Sequence, residues 1–514
     1  MKSLSAIIII TFFSSAAFAQ AVTLDSTFSQ DGKAIIAIGD SDDVSFSMEL
    51  QTDGKVILVG NSYNGTNNDI VLLRYNTDGY LDTSFDSDGI DSIAVGSSGD
   101  YGRSVAIQDN GKIIVAGYTW NAGGYDVALV RCNPDGSLDS GFGNNGKVVS
   151  MIGTADDRGF AIALQSDNKI LVAGFTETGT DYNFALLRYN EIGTFDSSFG
   201  TGGKVVTAIS TGVDDAYAVV IQPDGKILEA GYAFNGTNDD FAMARYTTNG
   251  TLDPTFGTNG IVTTGIGNQH DWILSISLQT DGKILAVGYT GDGGSNDEFA
   301  LARYNVDGSL DVSFNGDGKV ITSFPNGYAT AASASILPSG KIIVAGSVVG
   351  YGLDFALVQY NADGSLDSSF GSNGKLLTDI DSSDDYARKI LVQSDGRIVV
   401  SGYSSKNFNE DISIARFLSD LNLGIFNPVS ASSLIYPNPI HQTETLEYTL
   451  TKNESLTIAL YDVNGKLIRN FISNEQRTAG AHKETLNIGA LHSGNYFLTI
   501  SNGSQKMTVK MVKQ

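Results

Sequence analysis

The sequence predicts an all-β protein: a seven-bladed β-propeller whose N-terminal strand closes the last blade, followed by a small Ig-like β-sandwich. Three observations predict it. A Leu-Asp pair opens a turn-rich knot at Leu24, Leu81, Leu138, Phe195 (as Phe-Asp), Leu252, Leu310 and Leu366, in steps of 57, 57, 57, 57, 58 and 56 residues. A period that tight is an internal repeat. Each repeat holds four short alternating runs divided by turn residues, the pattern of a propeller blade. The array also starts with a spare strand and ends one strand short, as a ring that leaves no open edge requires.

The repeat from Arg103 to Ser150 shows the elements in order. A run Ser104–Gln108 meets a turn on Asp109-Asn110-Gly111, a second run spans Lys112–Gly117 and a third Asp126–Cys132. The knot Pro134–Gly143 follows, and a fourth run starts at Lys147. The runs have strand length and strand alternation, and the recurring Asp-Gly and Asn-Gly pairs suit hairpins that need positive φ. At the ends, Lys33–Ile38 has no partner before it, whereas the seventh repeat supplies Ala387–Gln393, Arg397–Gly402 and Asp411–Phe417 but no fourth strand. Lys33–Ile38 is therefore predicted as the outer strand of the blade begun at Ala387.

Antiparallel strands send alternate connections to opposite ends of a blade. One face carries the tight turns and knots. The other carries the loops that vary, Asn61–Asn68, Tyr118–Tyr125, Phe175–Tyr182, Tyr232–Asp239, Tyr289–Asp297, Ser347–Leu353 and Tyr403–Glu410, rich in Tyr, Trp, Asn and Gly. This variable face is the expected binding surface.

Lys2, the apolar run Ala6–Phe13 and the small-residue site Ala17-Phe18-Ala19 read as a secretory signal peptide over 1–19. The apolar run is shorter than the roughly 20 residues a span needs, and the mature chain is expected to carry no transmembrane segment. Of 32 basic and 57 acidic residues, 8 and 6 fall in 436–514, and Lys2 belongs to the signal, which leaves 23 against 51, a net of −28. Such a surface repels nucleic acid and anionic lipid and suits cations, cationic partners or plain solubility. The lone Cys132 stands where other repeats have Tyr75, Tyr189, Tyr246, Tyr304, Tyr360 and Phe417, and reads as a substituted core residue.

The text Gln-x-Asp-Gly-Lys-Ile-x-Val-Ala-Gly, then Asp-Phe-Ala-Leu-x-Arg-Tyr-Asn-x-Asp-Gly-Ser-Leu-Asp-x-Ser-Phe-Gly, resembles the delta-60 repeat family of bacterial exported proteins over about Leu24 to Phe417. The resemblance implies a propeller and carries no agreed activity. Its blade phasing is similar to that of NHL-type propellers, which implies that the Gln-terminated strand is innermost and that the variable face takes the ligand.

Candidate chemistry is sparse. An aspartate stands eight residues before the strand-ending Gln at Asp43, Asp100, Asp157, Asp214, Asp271 and Asp385, with Ala329 in the sixth blade. If that strand lines the channel, the six carboxylates ring its mouth and could hold a hard cation such as calcium; the plainer reading has each one bonding backbone N–H groups of its own turn. These six with Trp120 and Trp272 are the candidate ligand residues, and no other cofactor is expected. Arg74, Arg131, Arg188, Arg245, Arg303 and Arg416, with Gln359 as the exception, end the third strands, where an ion pair to the knot residues Asp82, Asp139, Asp196, Asp253 and Asp311 is expected to tie knot to strand. The turns Asp86-Ser87-Asp88-Gly89 and Asn315-Gly316-Asp317-Gly318 faintly resemble calcium loops but lack the closing Glu. The array has one histidine, His270, read as a surface loop residue, so it offers no His cluster, and a triad only through that residue. Acid pairs such as Asp156/Asp157 and Asp384/Asp385 keep glycosidic chemistry open as an alternative.

Past a linker at 418–435 the composition changes. Runs Leu446–Leu450, Leu456–Tyr461, Leu467–Ile472, Glu484–Ile488, Tyr496–Ile500 and Lys506–Val512 predict a small β-sandwich. Tyr436-Pro437-Asn438-Pro439, Asp462-Val463-Asn464-Gly465-Lys466, Ala479-Gly480-Ala481-His482, Gly494-Asn495-Tyr496 and the basic tail resemble, in order, the type A C-terminal sorting domain of the type IX secretion system. That resemblance implies export across a Gram-negative outer membrane, with residues 436–514 read by the export machinery, and a location at the cell surface or outside it. The expectation is therefore a signal peptide (1–19), a propeller (20–417), a linker and a sorting domain. Together they describe a non-enzymatic surface or secreted module that binds a protein or glycan, with a carbohydrate-active enzyme or a purely structural, adhesive protein as the alternatives.

Overall fold

Strands of alternating residues bury one face only when paired and stacked, and each run of the repeat finds both partners. The computed structural model describes residues 22–418, apart from 122, 180, 295, 326, 350–351 and 407–408, and most of 434–513. The signal segment 1–19, linker residues 419–433, and Pro437, Asn438 and Pro439 of the sorting motif lie outside the described residues. The chain divides into two compact units, 1–420 and 421–514.

The first unit holds seven antiparallel sheets, each running from an inner strand through a second and third to a short outer one. Inner strands are Asp43–Leu50, Asp100–Ile107, Asp157–Leu164, Asp214–Ile221, His270–Leu278, Ala329–Ile336 and Asp384–Val392. The closure expected of Lys33–Ile38 is present as Lys33–Ile36, paired with the third strand of the last blade (Lys33 opposite Ala415, Ile36 opposite Ile412). Thr23–Leu24 extends that blade by pairing with Leu418 and Phe417.

The cores lie between blades. One joins Ile57, Val59, Ile70 and Leu72 of the first blade to Val105, Ile113, Val115 and Val130 of the second, with Cys132 fully buried among them. The ring closes through the same kind of interface, where Val399, Ile412 and Ile414 of the last blade meet Met48, Leu58 and Leu73 of the first.

Every inner strand carries a β-bulge. In the second blade Gly102 pairs with Gly117 and Ser104 with Ala116, so Arg103 is the extra residue. The glycine makes room: a Cβ on Gly117 would meet the Tyr101 carbonyl oxygen at 1.8 Å. The bulge also explains why alternation alone starts this strand at Ser104, whereas it begins at Asp100; a bulge breaks the period of two.

The arginine at the end of each third strand does more than tie its own knot. Arg131 Nε donates to Asp139 at 2.6 Å and its Nη1 donates to the Glu191 carbonyl in the next blade's knot. Arg74, Arg188, Arg245 and Arg303 repeat the arrangement, and Arg416 performs it across the closure with Asp25 at 2.8 Å and the Thr77 carbonyl. Each guanidinium stacks on the buried Phe of its own knot, as Arg131 does at 4.5 Å from the Phe142 centroid.

In the second unit, Leu434–Tyr436, Thr443–Leu450 and Gly480–Asn487 form one sheet, and Leu467–Arg477, Glu454–Asp462, Gly494–Ser501 and Lys506–Lys513 form another. Leu446 and Leu486 of the first sheet share a core with Leu456, Ile458, Leu460, Leu498 and Ile500 of the second. The expected Ig-like sandwich is thus narrowed to two sheets sharing one core.

A chain lacking residues 22–36 leaves the third strand of the last blade unpaired on its outer side and Arg416 without Asp25. Its melting temperature is expected to fall by at least about 10 °C, with dimers appearing in size-exclusion chromatography. An unchanged, monomeric melt contradicts the closure.

Candidate functional site: the channel and its mouth on the variable face

The bulges decide what faces the centre of the ring. The seven bulged residues, Phe46, Arg103, Phe160, Tyr217, Leu274, Ala332 and Arg388, all line one central cavity of about 520 Å³, together with Arg158, Lys389 and small residues such as Ser47, Ser104 and Ser333. That volume is within the range of small-ligand sites. Among the described residues, no carboxylate belongs to the lining. Burial lowers the Lys389 ammonium's pKa, opposed by the charge of Glu49, and burial raises the Glu49 carboxyl's, opposed by Lys389.

Aromatic rings continue from the cavity to the variable face. Trp120 meets Tyr125 edge-on at 5.0 Å, Tyr125 meets Tyr118 at 5.1 Å, and Tyr118 meets Phe160 at 6.0 Å. Phe160 stacks on Tyr217 at 4.8 Å, Tyr217 on Trp272 at 6.4 Å, and Trp272 lies 4.3 Å from Tyr232 and 5.5 Å from Tyr289. The belt crosses blades two to five. Offset and edge-on contacts of this kind hold rings in fixed positions.

The two candidate tryptophans belong to this belt, and Trp120 remains 41% exposed. The six aspartates do not ring the mouth. All are fully buried at the starts of inner strands, and each accepts the N–H of the residue five positions earlier at 2.6–2.8 Å. Asp100 and Asp157 also accept the hydroxyls of Thr119 and Thr176. Their physical role is to fasten the connection between blades, because a carboxylate placed there satisfies N–H groups that no strand pairs. Burial raises the pKa of Asp100, Asp157, Asp214 and Asp271, and pushes Asp385 up to about 6.

Among the described residues, carboxylates converge at Asp354, Asp379 and Asp385, which bring one oxygen each within 4.8 Å of one another. The acid pairs are divided: Asp156 binds Arg158 at 2.7 Å and Asp384 accepts the Leu353 N–H at 2.8 Å, while Asp157 and Asp385 serve their turns. The calcium-like turns are occupied by turn chemistry, with Asp88 accepting the Ile90 N–H and Asp317 the Lys319 N–H, both at 2.9 Å. His270 opens a strand rather than sitting in a loop, and its Nδ1 lies 2.8 Å from Asp239 Oδ2, which also accepts the Trp272 indole N–H at 2.8 Å.

Sequence reasoning missed the bulged ring, because its residues differ from blade to blade. It also missed Glu229, the one acid at a second-strand position held elsewhere by Leu58, Val115, Val172, Ala286, Val344 and Val400. Glu229 is fully buried, with the Tyr246 hydroxyl at 3.1 Å, and burial pushes its pKa up to about 8.

The repeats match the family model described as a domain of unknown function (DUF5122) beta-propeller at 51–85, 108–142, 165–199, 222–256, 279–314, 337–370 and 393–423. The chain belongs to the DUF5122 β-propeller family. Residues 434–514 match a secretion system C-terminal sorting domain, so this DUF5122 protein carries the type IX sorting domain that its landmarks suggested. Tyr436, Gly494 and Tyr496 of those landmarks lie in its strands.

No curated relative matches the sequence. Solved structures similar to it include a catalytically inactive virginiamycin B lyase from Staphylococcus aureus with quinupristin (13% identity, 74% of this chain and 98% of that one, TM-score 0.39). A polysaccharide lyase, Uly1, is similar at 13% identity over 78% of this chain and 98% of its own, with TM-score 0.42. Sqt1 of Chaetomium thermophilum is similar at 10% identity over 92% and 96%, with TM-score 0.39. Likenesses this distant carry no argument about activity.

Glu229 sets a pH dependence. Its folded pKa is above the unfolded value, so the folded state binds the proton more tightly and stability falls as pH rises from about 4.5 to about 8. Glu229→Gln removes that dependence. Chemical denaturation is expected to show the variant more stable than the parent at pH 8.5, by on the order of 1–4 kcal/mol, with the gain shrinking toward pH 4.5.

Proposed function

We propose that this DUF5122 protein is an exported binding module, displayed at the cell surface or released, whose channel mouth on the variable face holds a glycan or protein partner. The observation that carries this reading is the aromatic belt from Trp120 to Tyr289, which joins the variable face to the central cavity. Flat, fixed rings pack against the C–H faces of sugars and against apolar side chains alike. The sorting domain supports delivery of that surface outside the cell, by contact between 434–514 and the type IX export machinery.

The reading is non-enzymatic and uses no cofactor. Acid-pair glycoside chemistry requires two carboxylates about a bound sugar; the described residues of the cavity lining supply none, and the acids beside the belt, Asp156 and Asp239, are engaged by Arg158 and by His270 and Trp272. A purely structural role gives no reason for rings to run continuously into a cavity of this size.

The chain has two tryptophans, and both are in the belt. Intrinsic tryptophan fluorescence of the full chain, titrated with surface glycans and with candidate surface proteins, therefore reports directly on the site. A bound partner is expected to shift or quench the emission, and Trp272→Ala to weaken binding about ten-fold or more. A partner that binds with unchanged emission and equal affinity for the variant would place the interaction elsewhere and defeat this reading; release of a cleaved product would replace it with the enzymatic alternative.

A further inference from the structure

Arginine has two different situations in this chain. In the knots, Arg74, Arg245 and Arg303 donate from Nε to a carboxylate, from Nη1 to the next blade's backbone and from Nη2 to a hydroxyl. Their donors are engaged. In the cavity, Arg103 donates from Nη2 to the Tyr118 hydroxyl at 2.6 Å, Arg158 from Nη2 to Asp156 at 2.7 Å, and Arg388 from Nη2 to the Tyr403 hydroxyl at 2.7 Å. Among the described residues those are their hydrogen bonds, and the Nε of each is buried without a partner. A guanidinium has five donors, so most donors of all three have no protein partner among the described residues.

The rings fix where these cations sit. Arg103 lies 3.9 Å over Phe46, which Arg388 approaches at 5.9 Å. Arg103 and Arg158 share Tyr118 at 5.3 and 5.2 Å. With Lys389 they line a cavity whose described lining has no carboxylate, in a chain with 57 acidic and 32 basic residues. Arg158 already has Asp156 as its partner and Lys389 faces Glu49, whereas Arg103 and Arg388 are held by tyrosine hydroxyls, and an anionic ligand supplies a counter-charge to those two.

We propose that the cavity binds an acidic oligosaccharide, with a sugar-borne carboxylate or sulfate held by Arg103, Arg158 and Arg388 and the neighbouring rings of the sugar lying on the aromatic belt. This rests on the glycan arm of the function proposed above. A polynucleotide is a poorer fit, because it is charged at every residue and would extend across a surface of net −28. A short oligosaccharide places its acid group in the cavity and leaves neutral rings at the mouth.

The test is isothermal titration of the full chain with a hyaluronan hexasaccharide (carboxylate), a carrageenan hexasaccharide (sulfate), neutral cellohexaose and sodium sulfate. At least one acidic hexasaccharide is expected to bind about ten-fold or more tightly than cellohexaose, and more weakly as salt rises. R103Q and R388Q are each expected to weaken it about ten-fold while keeping the parent melting temperature; two separate variants guard against one that fails to fold. Equal binding of cellohexaose, unaffected by either variant, overturns the inference and leaves the glycan-binding function standing. Sodium sulfate binding as tightly as the oligomers overturns the sugar part and leaves an anion site. Failure of every oligosaccharide overturns the inference, and the fluorescence response to protein partners then decides the broader reading separately.

Discussion

A single buried arginine, in six of the seven blades, connects three things: its own strand, its own knot and the backbone of the next blade. Arg131 reaches Asp139 through Nε and the Glu191 carbonyl through Nη1, with Phe142 beneath its plane. Breaking a buried pair of this kind by removing one partner costs about 3–5 kcal/mol, because the other charge is left without compensation. The lysine after the hairpin turn supports the same carboxylate, as Lys112 does for Asp139 at 2.7 Å. In the sixth blade, where Gln359 replaces the arginine, Lys341 still pairs with Asp367 at 2.6 Å. The ring closes because Arg416 finds in Asp25, from the other end of the array, the partner its own repeat lacks.

This frame leaves the centre free to vary. The same backbone device, a bulge in the inner strand, recurs in every blade, yet it presents Phe46, Arg103, Phe160, Tyr217, Leu274, Ala332 and Arg388 to one cavity. Bulges re-aim side chains, and here the re-aimed residues are the ones that differ. The charge is divided in the same way: the array as a whole is strongly acidic, while the channel gathers guanidinium groups.

Much of the frame was legible in the sequence because recurrence exposes it. The period marked out the blades, the spare strand pointed to the closure, and the Arg and Asp positions pointed to the knot ion pairs, although the reach of each arginine into the next blade was not legible, because its partner there is a backbone carbonyl that any residue can offer. The same reliance on recurrence misdirected the site. Asp43, Asp100, Asp157, Asp214, Asp271 and Asp385 recur because the connections between blades have N–H groups to satisfy, and they are buried for that purpose. Arg103, Arg158 and Arg388 do not recur as a set, and the bulge at Arg103 interrupts the alternation that would have shown which way its side chain faces. Trp120 was found through the composition of the variable loops and Trp272 through its place beside His270 and Asp271, and their ring contacts place both in the aromatic belt.

The central claim is that repeated residues hold the ring while unrepeated ones at its centre bind the ligand. The most direct measurement is a crossed comparison of two arginine substitutions, Arg131→Gln in a knot and Arg103→Gln in the channel, each followed by thermal melting and by ligand titration. The account predicts that Arg131→Gln lowers the melting temperature by several degrees and leaves affinity unchanged below the melt, whereas Arg103→Gln does the reverse. Equal effects of the two substitutions on both quantities would contradict it.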